Sequence, residues 1–341
     1  MPAHITHQIF AEEVIKKAFP RKGEEFYKDH EKLISFAAQG PDIFYHNRKS
    51  RPYCFKYGKI VHSSGYGTLV GYMIRYALSL GKTWNSDMGA FIIGFSTHAI
   101  LDRKTHPFII YFSGWVEPGR KATRKFYRCH PFFERVLDVL TLKRRKGVEV
   151  KNYNFFSYMK GRFLETEIPE LLLFSLQNTY PDLKNPAINM HCLKNVYSDA
   201  LRFYKLTDPT TTESQIRAYN REGKKPPVRL LSLFHPHDLP RNIDFLNLSL
   251  KEWKNPFDEN EKHTDSFDNL FDQSLEEAAV VAVMVKETME GKISVDRVVE
   301  HIGDSNLSDG KAAAGRQPSF SDPLPLWELM ELNYHYLEKK R

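Results

Sequence analysis

His98, Asp102 and His106 recur at intervals of four in GFSTHAILDRKTHPFIIY, and His130 and Glu134 repeat the interval in RCHPFFERVLD. At about 100° per residue, a four-residue step returns to nearly the same side of a helix, so each set would project imidazole and carboxylate groups from one face. Such groups ligate borderline-soft metal ions, and their display on rigid helices is how a hydrolytic zinc site is built. A single histidine on an apolar helix is more often a hydrogen-bonded core residue. Here the company argues otherwise. His7 in Thr6-His7, Asp42 in Gly40-Pro41-Asp42 and His62 in VHSSG add further ligand types beside small or turn-forming residues. Burying so many ionisable groups without a compensating cation would cost several kcal/mol or more for each unpaired charge.

The elements that must position these groups read as helices. Ile9, Phe10, Val14, Ile15 and Ala18 form one apolar stripe, and Leu69, Val70, Met73, Ile74 and Ala77 form another. Met88 to Leu101 is apolar nearly all round apart from His98, the pattern of a central buried helix. The periodicity predicts further helices over 126–142, 154–163, 168–177, 191–205, 243–253, 266–291, 294–302 and 325–339, while alternating strand patterns are scarce. Breaks are expected at Gly40-Pro41, 48–58, 114–119 and 207–227, and the basic run Lys143 to Lys146 reads as a solvated helix end. The expected class is all-α: a metal-site half over 1–142, supporting helices over 143–302 completing the same domain, a flexible segment over 303–324 and a C-terminal helix over 325–341.

Composition bounds the remaining choices. A chain of 341 residues, 41% of them hydrophobic, can bury a substantial core as one large domain or two ordinary ones. The net charge of +7 arises from 49 basic and 42 acidic residues, a mildly basic surface and not a nucleic-acid-binding stripe, so specific nucleic-acid binding is not expected. Cys54, Cys129 and Cys192 are odd in number and lack paired spacing, which argues against a disulfide framework and for a reducing, cytoplasmic location. The start of the chain lacks the pattern of a secretory signal, and no stretch approaches the roughly 18 to 20 apolar residues of a membrane span.

The ordered pattern Thr-His at 6–7, AQGPDIF at 38–44, His62, Gly-Phe-x-x-His-x-x-x-Asp-x-x-x-His-Pro at 94–107 and His-x-x-x-Glu-x-x-x-Asp at 130–138 resembles the zinc-dependent phospholipase C family. That family is related in fold to fungal and plant single-strand nucleases. The likeness covers residues 6 to 138, with weaker similarity at 247–256 (NLSLKEWKNP) and 266–278. It implies a multi-helix bundle with a trinuclear metal cleft holding up to three zinc ions. Carried over by position, Asp42, His62, His98 and Asp102 would bind one zinc; His106, His130 and Glu134 a second; and His7, with Asp102 bridging, a third. The family completes its third zinc with the amine and carbonyl of a mature N-terminal residue, commonly tryptophan, which this chain does not have. Pro2 permits removal of Met1, so a Pro2 amine is the expected ligand, with the Met1 amine its competitor if Met1 is retained. The implied reaction is attack of a metal-activated hydroxide on a phosphodiester, with Asp102 bridging two ions and Asp42 both ligand and proton acceptor. Mixed His/Asp/Glu ligation favours zinc, although manganese or iron can occupy the same groups.

His4 is the rival of His7, but the Thr-His pairing and the following helix favour His7. His46 reads as a loop or cleft-rim residue, His235-Pro-His237 as a turn, and Asp138 as a carboxylate that orients its neighbours. The expected substrate is a phospholipid or another phosphodiester, met in transient contact with a membrane surface. Phe44, Tyr45, Tyr66, Phe108, Tyr111, Trp115, Phe132 and Phe133 would either line a lipid-accommodating cleft or belong to the core. Two other readings stand beside this one: a nuclease or nucleotide phosphatase, whose aromatic side chains would stack bases, and a non-catalytic zinc-stabilised binding or scaffold protein.

Overall fold

The computed structural model describes residues 4–183, 188–311 and 317–339. Pro2, expected as a zinc ligand, lies outside them. The all-α class is as expected: the chain is mostly helical, with one two-stranded hairpin among the described residues. The first half carries α1 (His4–Ala18), α2 (Gly23–Ala37), α3 (Asp42–Tyr45), α4 (Phe55–Ser63), α5 (Tyr66–Ser79), α6 (Asp87–Ser113) and α7 (Cys129–Lys146). The second carries α8 (Phe155–Met159), α9 (Ile168–Thr179), α10 (Met190–Leu206), α11 (Thr212–Arg221), α12 (Val228–Leu231), α13 (Phe267–Met289), α14 (Val295–Ile302) and α15 (Leu326–Lys339). Strands β1 (Trp253–Asn255) and β2 (Asp258–His263) form the antiparallel hairpin between α12 and α13.

Helix α6 organises the rest. Every residue from Met88 to Asp102 is buried, so this helix must be covered on all sides. Helices α1, α2, α5 and α13 provide that cover. Ser86 starts it by accepting from the Gly89 amide at 3.3 Å, and Gly114 ends it at a φ of 62°, a conformation that favours glycine. The helix continues through Pro107, which has no N–H to offer the Arg103 carbonyl one turn back.

Several expectations need correction. Residues 243–253 do not form a helix: the Asp244 carboxylate accepts from the Leu248 and Ser249 amides at 2.8 Å each, and Asn247 and Leu250 adopt φ of 53°. Side-chain capping and left-handed backbone turn the chain there, and Trp253 enters β1. Helix α11 lies inside 207–227, expected as a break, and buries only Thr212 and Ile216, too few apolar positions to signal a helix. Helix α2 was not anticipated, and α4 begins inside the expected break at 48–58. The basic run is the last turn of α7, but it is bound to its neighbours. Arg145 meets Glu13 of α1 at 3.0 Å, Lys146 meets Glu12 at 2.7 Å and Arg144 meets Asp268 of α13 at 2.6 Å.

The segment expected to be flexible is fastened where it is described. The Leu307 amide donates to the His62 carbonyl at 2.8 Å, the Ser319 amide to the Pro256 carbonyl at 2.7 Å and the Leu324 amide to the Phe112 carbonyl at 2.9 Å. The Arg103 guanidinium gathers the carbonyls of Ile302, Gly303 and Ser305. Leu307 is fully buried. Backbone pairing of this kind explains why a polar, Gly- and Ser-rich composition does not leave these residues loose. Residues 312–316 of the segment lie outside the described residues.

Candidate metal centre

Five elements deliver the predicted ligands: His7 from α1, Asp42 from the start of α3, His62 from α4, His98, Asp102 and His106 from α6, and His130 and Glu134 from α7. Asp102, fully buried, is the hub. Its Oδ1 lies 3.3 Å from His7 Nε2; its Oδ2 lies 3.3 Å from His98 Nε2 and 4.0 Å from His62 Nε2. His62 Nε2 is also 3.0 Å from Asp42 Oδ1, and the His7 and His98 rings stack at 4.2 Å. Candidate ligand atoms of His7, His98 and Asp102 lie within 4.8 Å of one another, as do those of Asp42, His62 and His98. His130 Nε2 meets Glu134 Oε1 at 2.8 Å and the His106 and His130 rings are 5.2 Å apart, but His106, His130 and Glu134 do not converge as the two groups above do.

The polar atoms of those two groups test whether a cation fits. Both oxygens of Asp102, Oδ1 of Asp42 and Nε2 of His7, His62 and His98 are buried without a hydrogen-bond partner among the described residues. Nδ1 of His62, His98 and His106 instead meets the carbonyls of Gly58 at 2.6 Å, Ala38 at 3.1 Å and Leu307 at 3.2 Å. A carbonyl only accepts, so each Nδ1 carries a proton and, in the neutral ring, each Nε2 presents a lone pair. Lone pairs of imidazole and carboxylate aimed at one another repel unless a cation lies between them. These buried His and Asp groups can therefore hold a metal ion; their chemistry alone does not choose which.

The electrostatics agree. Burial pushes the Asp102 carboxyl up, but His98 and His7 outweigh it and hold it well below the usual carboxylate range. Asp102 in turn raises His98 against the burial that lowers it, so a divalent cation would take over the balancing role of the His98 proton. Burial holds His106 well below the ordinary histidine value, and His130 reinforces it. Glu134 sits at about 2, against a burial effect that raises it, with His130 among the groups that draw it down.

Other residues hold these groups in place. Asp138 Oδ1 accepts from the Thr6 amide at 2.7 Å and the Thr6 hydroxyl at 2.8 Å, which fixes the turn of α1 just before His7. Asp138 Oδ2 meets His235 Nε2 at 2.9 Å. His235-Pro-His237, expected as a turn, is irregular backbone with a bend at His237, and nothing in the local sequence signals that His235 is buried against a carboxylate 97 positions away. Gly40, at φ 51°, presses on His98 so closely that an added Cβ would overlap its ring. His4, the rival of His7, is not in the cluster: it stacks on Phe155 at 5.6 Å and receives a hydrogen bond from Arg135 Nη1 at 3.0 Å.

Two cavities adjoin the ligands. One of about 670 Å³ is lined by His62, His106 and His130 together with Tyr45, Trp115, Phe126 and Phe257. The other, of about 700 Å³, reaches Asp42 and Glu134. Of the eight aromatic residues considered for a cleft, only Tyr45 and Trp115 line either cavity; Phe44, Tyr66, Phe108, Phe132 and Phe133 are core, and Tyr111 packs on Phe112 and Trp253. No helix of the described residues is long and apolar enough to cross a membrane. No family model, curated protein or solved structure matches the chain.

Proposed function

We propose that this chain is a metal-dependent phosphoric-ester hydrolase of the phospholipase C type, with zinc as its resident ion and a bundle of the phospholipase C and single-strand nuclease kind. The observation that carries the proposal is Asp102: each of its two oxygens faces a different histidine, and neither has a hydrogen-bond partner among the described residues. That is the posture of a carboxylate shared between two ions. Asp42, His62, His98 and Asp102 would hold one ion, His106, His130 and Glu134 a second, and His7 with Asp102 a third, for which the Pro2 amine is the remaining ligand candidate. Bound divalent ions would supply Lewis-acid charge and a lowered pKa for water.

The protein's own residues do the rest. Gly58, Ala38 and Leu307 fix the tautomers of His62, His98 and His106, so that three Nε2 atoms are preset as acceptors. Asp42 directs Oδ1 to His62 and also lines the 700 Å³ cavity, which places a carboxylate where an entering water can give up a proton. Arg128 lines both cavities and can meet phosphate oxygens from either side. Tyr45, Trp115, Phe126 and Phe257 offer an apolar wall to the ester's lipid or other organic part.

Elemental analysis of purified protein, run beside product release from phosphatidylcholine and from bis(p-nitrophenyl) phosphate with and without chelator, tests the reading. We expect about two to three zinc per chain and turnover that the chelator abolishes. Stoichiometric metal without turnover would favour the scaffold reading; a metal-free protein that stays so after incubation with zinc would end the proposal.

A further inference from the structure

The 700 Å³ cavity has a charge unlike that of the molecule as a whole. Over the full chain 49 basic residues nearly balance 42 acidic ones. Here seven Lys and Arg side chains face three carboxylates. Two of those carboxylates, Asp42 and Glu134, are directed at histidines of the metal centre. The third, Asp199, is occupied by the Asn47 side chain, the Lys49 and Ser50 amides, the Ser50 hydroxyl and Arg202. Lys49, Lys205 and Arg229 form no ion pair among the described residues.

Part of the cationic wall is held in place, beside the exposed Arg48, Lys49, Arg202, Lys205 and Arg229. Arg135 is 3% exposed, donates to His4 at 3.0 Å, and keeps its Nε without a partner among the described residues. Asp138 Oδ2 meets Nη1 of this guanidinium at 3.6 Å, so it is Nε that is left to a further acceptor. Arg128, at a left-handed φ of 67°, is held through its Nε on the Ser232 hydroxyl at 3.0 Å, and Arg48 through its Nε on the Tyr45 carbonyl at 2.9 Å. On the same wall, His46 stacks on Phe203 at 3.8 Å, a flat face suited to a ring.

We infer that this chamber binds a second anionic group of the substrate, so that the ester hydrolysed carries at least one further phosphate besides the scissile one. The inference rests on the hydrolase reading for the word substrate, but the anion site stands on its own geometry. With Tyr45, Arg128 and Pro131 common to both cavities, the scissile phosphate sits at their junction, the organic part lies along Trp115 and Phe126, and the extra phosphate enters among Arg135, Lys49 and Arg229. A phosphorylated inositol headgroup and a nucleoside bisphosphate share this chemistry.

Calorimetric titration of the full chain, metal-loaded and chelator-treated, with inositol 1,4,5-trisphosphate and with adenosine 3′,5′-bisphosphate separates the two sources. Turnover of phosphatidylcholine vesicles with and without phosphatidylinositol 4,5-bisphosphate, and of bis(p-nitrophenyl) phosphate, is measured in parallel. At least one polyphosphate is expected to bind in both metal states, more weakly as salt rises. The Lys49→Ala/Lys205→Ala/Arg229→Ala variant, which alters exposed or unpaired side chains, should weaken that binding at least about tenfold, or about 1.4 kcal/mol, with zinc content and bis(p-nitrophenyl) phosphate turnover unchanged. Polyphosphate binding without any turnover would sink the hydrolase and leave the chamber intact. Turnover of the simple diester with no polyphosphate binding, or equal binding by the triple variant, would overturn the inference alone.

Discussion

Replacing Asp102 by Asn keeps the shape of the side chain and removes the charge that two histidines face. We expect zinc content to fall and phosphodiesterase turnover to drop at least about 100-fold, since even outer groups around metal ligands are worth roughly 10- to 100-fold. The same change removes a carboxylate whose charged form His98 and His7 stabilise, so the chelator-treated variant should also melt lower than the chelator-treated wild type. Unchanged zinc and turnover would remove Asp102 from the centre. Gly40→Ala probes the neighbouring ring. It places a methyl group on His98 and a side chain at φ 51°, a conformation costing roughly 1–2 kcal/mol by itself. The expected result is lower stability with loss of metal, read by thermal melts and elemental analysis. At this scale much was legible: spacing of four brought out His98, Asp102, His106, His130 and Glu134, and the order of motifs brought in His7, Asp42 and His62. Gly40, Arg135 and His235 were not legible as contributors, because what defines them is a ring, a base or a carboxylate far away in sequence.

Helices position these groups, and α1 shows how. It is pinned by Asp138 of α7 through Thr6, a contact spanning 132 positions. Asp138→Ala would free that end of α1 and leave Arg135 and His235 without their carboxylate. A cost of about 3–5 kcal/mol is expected, typical of breaking a buried charged contact. Asp138→Asn is the gentler probe: with the fold retained, zinc affinity should fall roughly tenfold through misplacement of His7, as measured by competition with a chelator. Unaltered affinity would show that α1 needs no anchor there. Strong apolar periodicity made α1, α5, α6 and α13 readable. The misread elements had competing local signals: Asp244 and Asn247 turned an apolar stretch away from helix, and α11 concealed its periodicity by burying so little.

Over the whole molecule, several histidines are buried neutral and make stability depend on pH. Burial, opposed in part by Asp42, lowers His46 to about 3; burial, together with Arg135, lowers His4; and burial lowers His235 against the pull of Asp138. An unfolded histidine binds a proton below about 6.5, while these remain neutral in the folded state. For His46 the unfolded chain therefore holds more protons between about pH 6.5 and 3, and this group removes up to about 1.4 kcal/mol per pH unit as pH falls through that window; His4 and His235 act in the same direction. Glu134, held at about 2, acts lower: the stability it contributes is present above its unfolded value near 4.3 and is lost as pH falls through 2. Melting temperatures of chelator-treated protein should decline steadily from pH 7 to pH 5. A flat profile over that range would contradict the burial of these rings.

Residue 307 ties His62 and His106 together: its amide holds the His62 carbonyl, and its own carbonyl holds His106 Nδ1. All the candidate ligands from His7 to Glu134 leave the ribosome long before it does. Until Leu307 arrives, the acceptor for His106 Nδ1 and the donor to the His62 carbonyl are missing, although Gly58 and Ala38 already hold the rings of His62 and His98. Completion of the site around His106 would then be a late event in the life of each molecule, following the arrangement of His62 and His98.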